Sequence, residues 1–143
     1  VRSFIRSFVR FLTIFAAAAS VSGSPRLSRG GPAAEVAAVK IKKNEGVDEI
    51  ICISVNDPFV MSKWGETTGA NDAGIKMLAD PASDFTKSIG TEFTVPPIGF
   101  FDRSKRCAFI VDNQTIVYAY LDDASGVVTG SSAEAVLLKL QDS

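Results

Sequence analysis

The chain has 143 residues, 46% of them hydrophobic and 22% charged, with a net charge of −1. That length suits one folded domain and that balance suits a globular protein. The near-neutral charge offers no global attraction to nucleic acid. The absence of histidine removes Ser/His/Asp and Cys/His nucleophilic sites and every His-based metal site. The two cysteines, Cys52 and Cys107, form no CxxC pair, which excludes a zinc ribbon and a thioredoxin-type redox motif. A reducing compartment is the default for so few cysteines.

Residues 1–34 hold five arginines and no acidic residue. Such asymmetry marks a segment with a separate job. Arg2, Arg6 and Arg10 would align on one helical face, with Phe4, Ile5, Phe8, Phe11 and Leu12 on another. That pattern resembles an organellar transit peptide, for a mitochondrion or plastid. A secretory signal is a second reading, with Phe11 to Val21 as its apolar core. A mis-assembled gene start without function is a third. The apolar stretch falls short of the ~20 residues a transmembrane helix needs, so no stable membrane span is expected. Ser24 to Ala34 is a Pro/Gly/Ser linker. Residues 1–34 are thus read as a targeting-like or aberrant segment with its linker, and 35–143 as the folded domain. Without a transit peptide the location would be cytoplasmic.

Glu35 to Lys43 reads as a short helix, and Gly46 suits the left-handed position that ends one. Glu49 to Val55 is a β-branched apolar run of strand length, with too little alternation for a half-exposed strand, so it is expected to be covered on both faces. Asp57-Pro58 suits an N-cap and first helical position, opening a helix over Pro58 to Glu66. Ile75 to Ala79 is a second apolar strand, closed by Asp80-Pro81, and Ser83 to Ile89 a short helix. Thr94 to Gly99, with two prolines, is expected to be irregular. Lys105 to Val111 and Thr115 to Leu121 read as an antiparallel hairpin linked at Asp112-Asn113-Gln114. Ser131 and Glu134 suggest a capping box, with a terminal helix over Ala135 to Leu140. The order is β-α-β-α, a hairpin, then a helix. That is the C-terminal part of a thioredoxin-like α/β fold: a mixed sheet with helices on both faces and an incomplete N-terminal part.

Gly46-Val47-Asp48-Glu49-Ile50 and Ser54-Val55-Asn56-Asp57-Pro58-Phe59-Val60 resemble the atypical peroxiredoxins, the type II or peroxiredoxin-5 group. Trp64-Gly65-Glu66, Leu78-Ala79-Asp80-Pro81, Lys105-Arg106 with Ala108 to Val111, and Ser131-Ser132-Ala133-Glu134 extend the match. It runs from about Asn44 to Leu140. The resemblance implies a thioredoxin-like fold and thiol-dependent reduction of hydrogen peroxide and alkyl hydroperoxides. It also implies thioredoxin or glutaredoxin/glutathione as reductant, no cofactor or metal, and a homodimer as one assembly.

The family's chemistry needs a cysteine in a Pro-Gly-Ala-Phe-Thr-Pro-x-Cys segment upstream of Gly46. Its thiolate attacks the peroxide O–O bond and becomes a sulfenic acid. The corresponding region, Phe11 to Pro32, holds no cysteine. The similarity of Phe11 to Phe15 to the strand before that motif is read as coincidence. By the Lys-Arg pattern, Arg106 falls at the family's active-site arginine, which orients peroxide and lowers a thiol pKa. Cys52 and Cys107 are the remaining thiols. Cys52 is expected in the core, and Cys107 on the face of its strand opposite Arg106. Thr129-Gly130 occupies the place where animal members often carry a resolving cysteine. Two readings follow: a thiol peroxidase incomplete or inactive as written, or a non-catalytic peroxiredoxin-derived module for dimerisation or partner binding.

Overall fold

The computed structural model describes the backbone of residues 10–15 and the whole of residues 46–122 and 128–142. Five strands form the main sheet: β1 (Arg10–Phe15), β2 (Glu49–Ser54), β3 (Ile75–Ala79), β6 (Cys107–Asp112) and β7 (Thr115–Leu121). Their order is β3-β2-β1-β6-β7. β1, β2 and β3 run parallel, while β6 is antiparallel to β1 and β7 to β6. This is the expected mixed sheet.

β1 changes the sequence reading most. The Phe11 to Phe15 stretch, read as coincidence, is the central strand. Leu12 stands opposite Ile50 on one side and Ile110 on the other. β2 and β6, which pair with β3 and β7 on their outer edges, thereby have a ladder partner on their inner edges too, as their backbone groups require. The strand also draws on the first 34 residues, upstream of the linker. The expected helix over Glu35 to Lys43 and the linker itself lie outside the described residues.

β2 alternates more than its composition suggested. Ile50, Cys52 and Ser54 are buried, and Glu49, Ile51 and Ile53 only half-buried. One face is sealed by the terminal helix α3 (Ala133–Gln141), where Val136 and Leu140 join Val47, Ile50, Ala108 and Ile110 in the main core. On the opposite face Cys107 and Phe109 pack with Ile53 and Ile89. Full burial of one such aliphatic side chain contributes roughly 1.5–3 kcal/mol.

α1 (Pro58–Thr68) starts at Asp57, whose Oδ1 accepts from Phe59 N and Val60 N at 2.9 Å each. Pro58 at its first position has no N–H to leave unsatisfied. The helix runs two residues past the expected end and stops at Gly69, which is left-handed at φ 72°. α2 (Asp84–Ser88) follows β3. Thr94 to Gly99, expected to be irregular, is mostly a 3₁₀ turn over Pro96–Ile98 ending at Gly99, but the turn joins a second, two-stranded sheet that the sequence reading lacks. β4 (Glu92–Val95) pairs antiparallel with β5 (Phe100–Ser104) across a 3₁₀ turn at Pro96–Ile98. Both prolines fall in the turn and, as expected, take no part in either ladder.

Two boundaries differ at the end of the chain. β6 begins at Cys107, so Lys105 and Arg106 form a link after β5. The cap of α3 is Ser132, whose Oγ accepts from Ala135 N at 3.1 Å. Ser131, the expected cap, instead hydrogen-bonds the Asp122 carboxylate through its hydroxyl. No helix among the described residues is long and apolar enough to cross a membrane.

Candidate functional site

In open sheets of this kind, binding residues collect beyond the carboxyl ends of the parallel strands. Three chain segments leave the sheet there: after Phe15, after Ser54 and after Ala79. Short-range hydrogen bonds shape two of them. Asn56 Nδ2 donates to Ser54 Oγ at 3.0 Å, and Asp80 N donates to Ser54 O at 2.9 Å. Asp80 is buried, and its carboxylate accepts from Thr86 N at 2.9 Å, Thr86 Oγ1 at 2.7 Å and Phe85 N at 3.3 Å. Burial opposes ionisation of Asp80, but these donors outweigh it and hold the carboxyl below its usual range.

β5 lies across this end. Arg103 Nη1 donates to Val55 O at 2.6 Å, and the guanidinium carbon stands 5.9 Å from the centre of the Phe100 ring. Phe100 in turn meets Phe93 edge-on at 6.2 Å. A cavity of about 590 Å³ opens between these elements, lined in part by Val55, Asn56, Asp57, Pro81, Phe101 and Arg103. Arg106 does not line it.

Arg106 is half-buried in the link between β5 and β6. Its backbone is tied directly on one side and through the preceding residue on the other. Its carbonyl accepts from Asp122 N at 2.9 Å, and the preceding Lys105 N donates to Thr91 O at 2.7 Å. The next residue, Cys107, stands opposite Phe15 in the β1–β6 register. Arg106 therefore sits at the carboxyl end of β1, where the chain leaves the central strand.

The two thiols are elsewhere. Cys52 is 8% exposed and Cys107 is fully buried, and neither forms a disulfide. Cys52 shares a register level with Ile14 and Ala108, whereas Cys107 pairs with Phe15, one position on. The alternation of a strand therefore puts them on opposite faces of the sheet. Burial, aided by the nearby Asp122 charge, pushes the Cys107 thiol up to about 12. Arg106 is no strand neighbour of Cys107, so the alternation expected between them does not arise.

Asp122 and Arg103 escaped the sequence reading. Asp122 is buried at the end of β7. Its Oδ1 accepts from Thr129 Oγ1 at 2.8 Å and Thr129 N at 3.2 Å, and its other oxygen from Ser131 Oγ. Burial opposes its ionisation, yet the Ser131 and Thr129 donors hold its pKa below the usual value. Its only signal in sequence was an acidic residue directly after a strand and a Thr/Ser pair just downstream. Among the described residues no group of His, Cys, Asp or Glu is arranged to hold a metal ion.

The parallel strands, the returning antiparallel pair and the helices on both faces define a thioredoxin-like fold. A family model described as Redoxin matches residues 31–137. Peroxiredoxin-2D of Arabidopsis thaliana is 42% identical over 98 residues, covering 68% of this chain and 59% of that protein. The chloroplastic peroxiredoxin-2E-2 of Oryza sativa subsp. japonica is 39% identical over 98 residues, covering 67% and 43%. Among solved structures, reduced Prx3 of Vibrio vulnificus in complex with hydrogen peroxide superposes with a TM-score of 0.76 at 34% identity, covering 93% of this chain and 78% of that one. Peroxiredoxin 5 of Alvinella pompejana gives 0.74 at 31%, covering 94% and 80%. The chain belongs to the Redoxin family, in its atypical peroxiredoxin branch, the type II or peroxiredoxin-5 group. It spans less than two thirds of the length of these curated relatives.

Proposed function

We propose that this chain carries the scaffold and the active-site arginine, Arg106, of a thiol-dependent peroxidase that reduces hydrogen peroxide and alkyl hydroperoxides. The observation that carries the reading is the place of Arg106. It is fastened by its backbone beside the carboxyl end of the central strand, where the family resemblance sets the peroxide. In the chemistry the resemblance implies, a thiolate attacks one peroxide oxygen. An S–O bond forms, the O–O bond breaks, and the departing oxygen leaves as water or an alcohol after taking a proton. A dithiol such as thioredoxin, or glutaredoxin with glutathione, then reduces the sulfenic acid. A guanidinium at this point binds the peroxide and stabilises the departing negative charge.

Neither Cys52 nor Cys107 is suited to be that thiolate, since both are buried and Cys107 is pushed up to about 12. The 143 residues are thus proposed to be inactive by themselves. Delivery to an organelle is the favoured location, supported by the arginine-bearing, acid-free residues 1–34 and by a chloroplastic relative. Cleavage after Phe15 would remove the central strand, so processing compatible with this sheet falls before Arg10.

Titrating hydrogen peroxide into the ¹⁵N-labelled chain tests the reading. The Arg106 Nε–Hε signal, assigned with an Arg106→Lys variant, should move while that of Arg103 stays. An unmoved Arg106 signal, or equal movement of both, would overturn it. In a thioredoxin-coupled assay, peroxide consumption should match that of a Cys52→Ser/Cys107→Ser double variant. A cysteine-dependent rate would overturn the assignment of inactivity.

One observation favours the second reading, a non-catalytic dimerisation or partner-binding module. Phe59 is 84% exposed at the start of α1, and Phe101 and Ile98 are 61% and 60% exposed on the β4–β5 hairpin. Sedimentation of the wild type against Phe59→Ser would distinguish a dimer held by this side chain from a monomer.

A further inference from the structure

We infer that Asp122 is a positioning residue for Arg106, linking the turn before α3 to the arginine. The inference rests on the proposed role of Arg106 as the peroxide-facing cation. Asp122 is bonded in two directions. Asp122 is 5% exposed, and its carboxylate accepts from the Thr129 backbone N–H and from the Thr129 and Ser131 hydroxyls. Its backbone N–H, by contrast, donates to the Arg106 carbonyl at 2.9 Å. One residue therefore holds the turn with its side chain and the arginine with its main chain.

The bonds are of the strong kind. Hydrogen bonds to an ionised carboxylate are about twice as strong as neutral ones. A buried carboxylate deprived of its donors cannot turn to water for replacements. The turn is itself fixed at a second point. Tyr120 OH and Thr129 Oγ1 share a hydrogen bond of 3.2 Å, and the Tyr120 ring lies directly against Gly130. From there Ser132 caps α3, whose Val136 and Leu140 are anchored in the main core. The path from the core through α3 to Arg106 is thus a run of contacts, with Asp122 at its last step. On the other side, the preceding Lys105 N donates to Thr91 O at 2.7 Å, so the Lys105–Arg106 link is held at both ends by backbone bonds. Loosening one end changes where the guanidinium stands without touching it.

The test uses the ¹⁵N-labelled full chain and needs no peroxide for its first readout. Thr129→Val and Ser131→Ala together remove the side-chain donors to Asp122 and leave every residue of the β5–β6 link in place. The Arg106 Nε–Hε signal should shift or broaden, and the Asp122 amide should exchange with solvent at least tenfold faster. The Arg103 Nε–Hε signal, on the neighbouring strand, should be unchanged. Restoring only Ser131 should recover part of both effects. An Arg106 signal that stays put while the 129–131 amides shift would overturn the coupling. Equal shifts at Arg103 and Arg106 would overturn it too, since they mark general loosening. In a second readout, the peroxide-induced movement of Arg106 should fall several-fold in the double variant. A wild type whose Arg106 ignores peroxide defeats the peroxidase reading, while the peroxide-free signals still decide the coupling.

Discussion

The guanidinium of Arg103 and the carbonyl of Val55 meet at 2.6 Å, across a sequence separation of 48 residues. This bond fastens the β4–β5 hairpin to the segment that leaves β2. Its donor is charged and half-buried, and Phe100 lies against the same group at 5.9 Å. Arg103→Met, which keeps most of the stem volume, should cost about 1.5–3 kcal/mol, the range for a hydrogen bond to a charged group. Arg103→Lys should recover only part of this, because one ammonium cannot both reach the carbonyl and cover the ring as the planar group does. Urea denaturation measures both. A loss below a few tenths of a kcal/mol for Arg103→Met would show that the hairpin holds its place without the bond.

Much of this architecture was legible before any coordinates. The Asp57-Pro58 cap, the β3 bounds and the β6–β7 hairpin all rest on local chemistry, where a residue's own backbone preferences decide the outcome. What was not legible depends on partners distant in sequence. β1 reads as a fragment of a biased N-terminal segment, because its role comes from β2 and β6 on either side. Ser131 and Ser132 are equally good caps on paper. The choice is made by the Asp122 carboxylate, which engages Ser131 and leaves Ser132 to α3. Arg106 was singled out by family pattern alone and its role is a proposal, whereas Arg103 and Asp122 gave no such signal because their partners, Val55 and the 129–131 turn, lie on other elements.

Asp80 makes acid stability predictable. Its folded-state pKa lies below the unfolded value, so its contribution is fully present above the unfolded carboxylate pKa of about 3.9 and is lost as pH falls through the folded value. Asp122 has the same sign and adds to the same acid limb. Asp80→Asn removes the charge and leaves fewer acceptors for Thr86 and Phe85, so it should destabilise by about 1–3 kcal/mol at neutral pH. The gap between wild type and variant should narrow below about pH 4. Urea midpoints at pH 7 and pH 3 provide the check. A gap that stays constant or widens in acid contradicts the direction of the shift.

Gly130 is a position of close approach. A Cβ built there falls 2.3 Å from the Tyr120 ring. Gly130→Ala must displace the ring, which also hydrogen-bonds Thr129 at 3.2 Å. Overpacking of this kind costs about 1–3 kcal/mol. Tyr120→Ala should relieve it, so the double variant is expected to lose less stability than the two single losses combined. Strict additivity in this cycle would place the cost of Gly130→Ala in the backbone and not against the ring.

The cysteines offer a direct check on the proposal that neither is the peroxide-reactive thiol. Cys107 is fully buried and its thiol is pushed up to about 12, first by burial and then by the Asp122 charge. At pH 8 such a thiol is ionised to roughly one part in ten thousand, whereas an ordinary thiol of pKa about 8.5 is ionised to about a quarter. Cys52, 8% exposed on the other face of the sheet, presents little surface for attack. Iodoacetamide should therefore label neither residue in the folded chain on the timescale on which it labels a free thiol. Both should react fully once guanidinium unfolds the protein. The slow native reaction should accelerate with denaturant along the unfolding curve, since opening of the fold limits access. Mass spectrometry of tryptic fragments assigns the label to Cys52 or Cys107. A rapid native phase at either site would return that cysteine to consideration as the peroxide-reactive thiol.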